Sequence, residues 1–158
     1  MSDYQITNSI VGAQNIADTS TTQNHPLGTI VNAVDRASTA YGAGEFVYLK
    51  GVASTVLGSF VTYNADDNST ALLAANAIGP VATSMSINVA SSYGWYQISG
   101  KAVGKAKASY ADNGLVYATS TAGSIDDAVV AGDRVKLALG ASAVDTPSTG
   151  LAEFEIQR

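Results

Sequence analysis

The sequence predicts an all-β fold, built as a small sandwich or barrel of about seven to nine short strands with one short helical turn and an extended N-terminal arm. Alanine, serine, threonine, glycine and valine dominate the chain, and this mixture of small and β-branched residues suits layered sheets better than helices. Segments in which apolar and polar residues alternate recur along the sequence, as in half-buried strands. Turn-forming residues separate these segments about every 8 to 15 residues, a spacing typical of sandwiches and barrels.

The length and charge of the chain limit its architecture and its partners. A chain of 158 residues is long enough for one domain with a buried core. Its net charge of −5 and its isoelectric point near 4.5 argue against a nucleic-acid partner, which normally requires a basic patch. Charged residues make up only 13% of the chain, which is typical of a surface that is covered in an assembly.

Composition also argues against several kinds of site and location. The chain has no cysteine, so it can form neither a disulfide nor a thiolate metal site, and no cofactor is expected. Residues 1–5 lack the basic start and apolar stretch of a secretory signal. No apolar run approaches the roughly 20 residues that span a bilayer, so no membrane partner is expected. We therefore expect a protein that is made in a cytoplasm and kept in solution.

The first 28 residues differ in composition from the rest of the chain. They are polar and irregular, and their few apolar residues include Tyr4, Ile6, Ile10 and Val11. Such a segment cannot fill a core by itself, so it is either a loose tail or an arm that orders against a partner. We predict an N-terminal extended arm over residues 1–28 and a β-rich domain over residues 29–158.

The clearest strand lies in the middle of the chain, from Gly94 to Gly104. Alternation places one set of side chains on the predicted core face: Tyr96, Ile98, Gly100 and Ala102. Because Gly100 and Ala102 have almost no side chain, a bulky neighbour or another sheet is expected to approach the backbone there. Trp95 falls on the more polar face, where it packs under a loop or reaches another subunit.

Further strands are predicted on both sides of this one. They cover residues 29–31, 45–52, 58–63, 81–84, 105–110, 115–119, 134–139 and 152–157. Residues 70–78 are ambiguous, because their alanines and leucines favour a helix but Gly79-Pro80 cuts it short. Asp112-Asn113-Gly114 predicts a hairpin turn between the strands at 105–110 and 115–119.

Two details of the C-terminal third are also predicted. Ser124 resembles the start of a capping box and predicts one or two helical turns that Gly132 ends. The inward side chains of the last two strands are predicted to be Val135, Leu137, Leu139, Ala152, Phe154 and Ile156.

The candidates for catalysis are weak. His25 is the only histidine, and a catalytic triad would need a carboxylate and a serine from elsewhere to meet it, so a surface or interface histidine is the favoured interpretation. The adjacent carboxylates of Asp126 and Asp127 do not supply two groups that face each other across a cleft, as a glycosidase requires. The stretch from Gly100 to Ala106 is one residue too short between its glycines for a phosphate loop.

Two surface features leave alternatives open. Asn64, Asp66 and Asn68 follow the spacing of a calcium loop, but the pattern then breaks, so an ordinary turn is favoured over a loop-bound cation and no metal site is predicted. Lys101, Lys105 and Lys107 form a basic stripe. The stripe is either a solvated strand face or a contact for an acidic partner.

Five short motifs carry a resemblance to a known family. They are Ile78-Gly79-Pro80-Val81-Ala82, Gly94 to Ala102, Asn113 to Thr119, Gly132-Asp133-Arg134-Val135 and Glu153 to Arg158. In this order they resemble the capsid decoration, or cement, proteins of tailed bacteriophages. The likeness covers residues 44–158, and the N-terminal region matches no motif.

The resemblance implies a structural virion protein without enzymatic activity. Such a protein binds the outer surface of a mature phage head, contacts the major capsid protein, bridges capsomers and is often a homotrimer. On this interpretation Tyr4, Ile6, Ile10 and Val11 are the candidate capsid contacts, because an arm could add to an exposed strand edge. Trp95 and Tyr96 are the candidate subunit interface, because buried aromatic contacts often carry binding energy.

Two other classes of function remain as alternatives. A carbohydrate-binding or tail-fibre-type β module would use exposed rings of Tyr93, Trp95 and Tyr96 to stack on sugars. A small hydrolase is the third possibility, and it lacks an evident base.

Overall fold

The computed structural model describes residues 3–144 and 150–157, and these residues form twelve β-strands and no helix. The strands are β1 (Tyr4–Ile6), β2 (Thr19–Ser20), β3 (Ile30–Asp35), β4 (Ala43–Lys50), β5 (Phe60–Tyr63), β6 (Thr70–Leu72), β7 (Val81–Ser84), β8 (Tyr93–Lys105), β9 (Leu115–Ala118), β10 (Ile125–Asp126), β11 (Arg134–Gly140) and β12 (Leu151–Ile156). The all-β prediction is confirmed. The strand count exceeds the predicted range, since two- and three-residue strands such as β1, β2 and β10 carry too little pattern to be recognised.

Strand β8 joins the two halves of the molecule. Its first half pairs with β4 as far as Ser99, and its second half pairs with β12 from Gly100 onward. Gly100 lies at this change of partner with a φ of +93°, where a side chain would be strained. A Cβ there would lie 2.6 Å from the carbonyl oxygen of Ala43. The predicted close approach to the backbone at Gly100 is therefore confirmed.

The first half is an antiparallel sheet in the order β1-β3-β4-β8-β7-β5-β6. One face of it holds a compact cluster of buried side chains: Val47, Leu49, Val61, Ala82, Tyr96 and Ile98. The opposite face carries a second cluster, which includes Phe46, Tyr48 and Trp95. Both faces of the first half of β8 are therefore covered, and the predicted alternation of one buried and one polar face holds only in part.

The second half curls into a small barrel. Strands follow the order β8-β12-β11-β9-β10, and a bridge between Ala106 and Ile125 closes the circuit. Phe60, Tyr110 and Phe154 fill the interior, with ring centroids 5.2 Å apart in both Phe154 pairs. Gly104 makes room for this packing, because a Cβ there would lie 2.3 Å from the ring of Phe60. The small residues of β8 thus admit a bulky aromatic side chain.

The helical turn predicted from Ser124 is wrong. Ile125 and Asp126 form β10 instead, paired with Ala118 and Tyr117. Ile125 is completely buried in the barrel, and this burial outweighs the weak local preference for a helical start. The carboxylate of Asp127 accepts a hydrogen bond of 3.0 Å from the main-chain N–H of Ala111.

The predicted hairpin around Asn113 is also wrong. A turn does form there, and Asn113 has a φ of +58°. However, β8 ends at Lys105, and β9 pairs with β10 and β11 rather than with β8. The chain between them turns inward at Tyr110, which is buried, so the local turn signal did not determine which strands pair.

Strand β11 departs from its predicted facing. Val135 is buried, but Leu137 and Leu139 are 56% and 46% exposed. The pairing of β11 with β9 shifts in register between Arg134 and Leu139, where β11 advances five residues and β9 only two. This odd excess of three residues reverses the side on which the following residues point. In β12 the prediction is confirmed, with Ala152, Phe154 and Ile156 buried.

The N-terminal segment runs across the face of the sheet that holds Trp95. Strand β1 pairs with β3, and β2 pairs with β8 at Gly94. Ile16 is buried, with 2% of its surface exposed. The segment therefore packs on the sheet of its own chain, a third arrangement besides the loose tail and the partner-ordered arm. The division of the chain at residue 28 stays a prediction.

Candidate functional site

Trp95 lies in an aromatic cluster beneath the N-terminal segment. Its ring centroid is 5.0 Å from that of Tyr48 and 5.5 Å from that of His25. Trp95 and Tyr96 are both fully buried, on opposite faces of β8. Burial raises the pKa of Tyr96 to about 12. This placement corrects the assignment of Trp95 and Tyr96 to a subunit interface, because each ring already has its partners within the chain.

Gln14 fastens the N-terminal segment to this cluster. Its main-chain carbonyl accepts a 2.9 Å hydrogen bond from the indole nitrogen of Trp95, and its side-chain carbonyl accepts one of 3.1 Å from the hydroxyl of Tyr48. Its side-chain amide donates to the carbonyl oxygens of Asp18 and Tyr93. Gln14 thus supplies the hydrogen-bond acceptors for the Trp95 indole and the Tyr48 hydroxyl, and its own side-chain amide is hydrogen-bonded as well.

The four predicted capsid contacts have different environments. The Tyr4 ring is buried 4.9 Å from that of Phe46, and its hydroxyl donates to the carbonyl of Lys101. Burial raises the pKa of Tyr4 to about 12. Ile6 and Ile10 are half-buried, and Val11 is fully exposed. A direct capsid contact is open to Val11 in this fold, whereas Tyr4 would first have to leave its sheet.

The residues considered for catalysis or for cation binding have structural roles. His25 is buried, and its Nε2 accepts a hydrogen bond of 3.1 Å from the main-chain N–H of Gln14. Asn64 accepts a hydrogen bond from the N–H of Asp66 through its side-chain oxygen, so these residues form a local turn between β5 and β6. Within the described residues, no group of three or more histidine, aspartate or glutamate side chains is placed to hold a metal ion.

The proposed sugar platform is not present in the described fold. Trp95 and Tyr96 have no exposed surface, and only Tyr93 of the three rings is partly exposed. Stacking on a sugar requires an exposed ring face. The carbohydrate-binding alternative therefore loses the residues on which it depended.

Two adjoining loops form an exposed apolar surface, which we call the apolar tip. All residues of 75–80 and 128–132 are exposed, and none of them is charged. Ile78 is 95% exposed, and Val129 and Val130 are 77% and 45% exposed. The main-chain N–H of Asn76 donates a 2.6 Å hydrogen bond to the buried carboxylate of Asp133, which holds the two loops together.

A second apolar surface lies on the outside of the barrel. Leu115 of β9 is the register partner of Leu139 of β11, and Leu137 lies two residues before Leu139 on β11. We call these three residues the leucine row. All three are at least 38% exposed. Lys136 of β11 and Glu155 of β12 are exposed beside the row, and neither forms an ion pair with another described residue.

A groove of about 980 Å³ runs between the N-terminal segment, the barrel and the chain after β7. Its apolar lining includes Ile16, Leu57, Met85, Ile87 and Val103, and its polar lining includes Gln97 and Glu153. Glu153 forms an ion pair of 2.7 Å with Lys101. One lysine of the predicted basic stripe is thus paired within the chain.

Sequence reasoning missed the apolar tip and the groove. The tip had a signal, since Ala128-Val129-Val130-Ala131-Gly132 is an uncharged apolar run in a segment taken for a helical turn. The groove had none, because its lining comes from segments far apart in the chain.

The chain was compared with protein-family models, with curated proteins and with solved structures. No match was found in any of the three comparisons.

Proposed function

We propose that this chain is a structural virion protein that binds the outer surface of a phage capsid and stabilises it by bridging capsomers. The apolar tip carries this proposal. Eleven neighbouring exposed residues without a charge, six in one loop and five in the other, are costly to leave in water and mark a surface that a partner covers. The partner is the major capsid protein, as the family resemblance implies.

Three of the motifs that carry the family resemblance lie in the apolar tip or in the strands of the sheet and barrel. Residues 78–82 connect the tip to β7, residues 132–135 connect it to β11, and residues 94–102 lie within β8. The tip is therefore mounted on paired strands rather than on a free segment. A rigid mount suits reinforcement of a shell, because a capsomer bridge must transmit force without yielding.

The leucine row supports a homo-oligomer, with a trimer favoured. The row is apolar, and Lys136 on one strand and Glu155 on the next form no ion pair with any residue that the structure describes. A second copy turned against it could place Lys136 near Glu155 of the other chain, so the surface is self-complementary in charge. An oligomer would present several tips at once, and multivalency would convert weak single contacts into firm attachment.

Co-sedimentation with capsids tests the proposal. The probe is heads of the phage that encodes this chain, assembled without it, and the variants are Ile78→Lys and Val129→Lys. Each should reduce retention on heads by about tenfold or more, because a buried charge would oppose an apolar contact. Ile87→Lys, at another exposed isoleucine, is the matched control and should bind as the unaltered chain does.

A further variant separates the tip from the N-terminal segment. Val11→Lys places a charge on the exposed turn of that segment without disturbing the buried Tyr4 or Ile16. Loss of binding would assign the turn to the capsid contact as well. Failure of the unaltered chain to bind heads, or equal binding by the tip and control variants, would refute the proposal.

A further inference from the structure

The main chain of β8 has an open side beside the groove. The N–H of Lys105 donates to the carbonyl of Gly58 at 2.8 Å, so it points away from β12. Directly opposed residues in an antiparallel pair alternate between hydrogen-bonded and non-hydrogen-bonded pairs. Val103, two residues earlier, therefore also directs its N–H and C=O away from β12.

The partner strand gives the same orientation independently. Glu153 is the register partner of Val103. The carbonyl of Glu153 accepts from the N–H of Ala141 at 2.7 Å, and its own N–H donates to the hydroxyl of Ser142 at 3.0 Å. Both main-chain groups of Glu153 are thus used on the side away from β8, and neither reaches Val103.

No described strand occupies the other side of β8 at this point. Pairing with β4 ends at Ser99, and pairing with β7 ends at Gln97. The side-chain amide of Gln97 and the hydroxyl of Tyr4 both donate to the carbonyl of Lys101, at 3.0 Å and 3.3 Å. Within the described residues this leaves both main-chain groups of Val103 without a partner.

We propose that this open side of β8 binds an extended, uncharged peptide as an added strand. The peptide main chain would accept from the N–H of Val103 and donate to its carbonyl, as in other cases of strand addition to a sheet edge. Val103 lines the groove, so the open side faces a cavity in which a peptide fits.

The shape and charge of the groove favour this occupant. Gln97 and Val103 both line it, so the groove runs along β8 past the change of partner at Gly100. Leu57, Met85 and Ile87 offer apolar contacts to alternate peptide side chains. The ion pair between Glu153 and Lys101 neutralises the charge there, so a charged peptide gains nothing.

This inference stands apart from the proposed function. The groove and the apolar tip share none of their residues, and the strand geometry does not depend on what the tip binds. A tip variant that no longer binds capsids should still bind peptide. A groove variant should lose peptide binding whether or not heads are present.

The first test uses a pool of acetylated, amidated hexapeptides that alternate valine, isoleucine or leucine with serine. Amide hydrogen exchange of the full chain, followed by NMR, should show exchange at Val103 slowed by about tenfold or more on binding, because its N–H becomes hydrogen-bonded. No binding by any peptide of the pool at millimolar concentration would overturn the proposal.

N-methylation of the bound peptide distinguishes strand addition from simple apolar contact. Two isomers are made, one methylated at every odd amide and one at every even amide. An added strand hydrogen-bonds to β8 along only one of its two edges, and alternate amides point to opposite edges. The isomer methylated on the bonded edge should therefore fail to bind, and the other isomer should bind. Equal binding by both isomers, or by N-acetyl-leucine amide in place of the hexapeptide, would assign the groove to apolar small molecules and overturn the proposal.

Two neighbouring residues supply a matched pair of variants. Leu57 lines the groove and is 37% exposed, whereas Val56 is 39% exposed and does not line it. Leu57→Lys should weaken peptide binding by about tenfold, and Val56→Lys should leave it unchanged. Equal effects of the two variants would overturn the proposal. If instead Leu57→Lys dissociated an oligomer that peptide also dissociates, the occupant would be a second copy of the chain.

Discussion

The indole nitrogen of Trp95 donates a 2.9 Å hydrogen bond to the main-chain carbonyl of Gln14. This bond joins a strand at the centre of the sheet to a segment that begins near the N-terminus. Since Trp95 is the only tryptophan, its fluorescence reports on the surroundings of this contact. The relationship makes the packing of the N-terminal segment directly measurable.

We expect Trp95 to emit at short wavelength and to be inaccessible to acrylamide. Removal of residues 1–28 should shift the emission to longer wavelength and lower the stability, because it uncovers Trp95, Tyr48 and Phe46 together. A deleted chain that no longer bound capsids could have lost either a capsid contact or its stability. Val11→Lys is therefore the more specific test of a capsid contact. Emission from the deleted chain identical to that of the full chain would contradict the described packing.

Replacement of Gly104 should destabilise the barrel. The new Cβ of Gly104→Ala would lie 2.3 Å from the Phe60 ring, so the free energy of unfolding should fall by about 1–3 kcal/mol, as in other overpacked cores. Urea unfolding measures the change. Combination with Phe60→Leu supplies the control, because the smaller side chain makes room for the added methyl group. The double variant should lose less stability than the two single changes summed, and strict additivity would contradict the contact.

The stability of the protein should fall at alkaline pH. Burial is the largest cause that raises the pKa of Tyr4, Tyr96 and Tyr110 to about 12, whereas an unfolded tyrosine titrates near 10. Between these values the folded state retains protons that the unfolded state has lost, so the free energy of unfolding decreases as pH rises. Their contribution is complete below pH 10 and is lost between about pH 10 and 12.

Urea midpoints at pH 8 and at pH 11 test this dependence, together with phenolate absorbance. Five of the eight tyrosines have a raised pKa and should ionise only above the pH at which free tyrosine does: Tyr4, Tyr41, Tyr48, Tyr96 and Tyr110. If all eight ionised together near pH 10 while the chain remained folded, the described burial of these rings would be wrong.

The leucine row should mediate self-association. Leu139→Thr introduces a β-branched residue that suits a strand on the outer face of β11 but removes apolar surface that the proposed oligomer buries. Sedimentation velocity should show a lower average mass for this variant, whereas Val89→Thr, at an equally exposed position outside the row, should not change it. A monomeric unaltered chain at every concentration would contradict the role of the row.

Charge reversal offers a second test of the same surface. Lys136→Glu should weaken self-association, because it places like charges opposite each other in the proposed contact. The double variant Lys136→Glu/Glu155→Lys should restore it. A lack of rescue would show that these two residues do not meet across copies.

The sequence by itself determined the all-β class, most strand positions and the inward side chains of β12. These features depend on a two-residue alternation that is local to each strand, so they can be read without knowledge of neighbours. It also predicted the close approach at Gly100, since a glycine within a strand signals a nearby backbone. The placement of Trp95 was open between a covering loop and another subunit, and the structure places it under the chain's own N-terminal segment.

Only the tertiary structure decided the pairing of strands and the surfaces that result. The turn at Asn113 forms, but β9 pairs with β11 because burial of Tyr110 draws the chain inward. A register shift in β11 turns Leu139 outward, and no local pattern encodes such a shift. The open side of β8 at Val103 exists because β4 and β7 end before it. Both apolar surfaces and the groove thus arise from contacts between distant segments, whose free energies are absent from any short stretch of sequence.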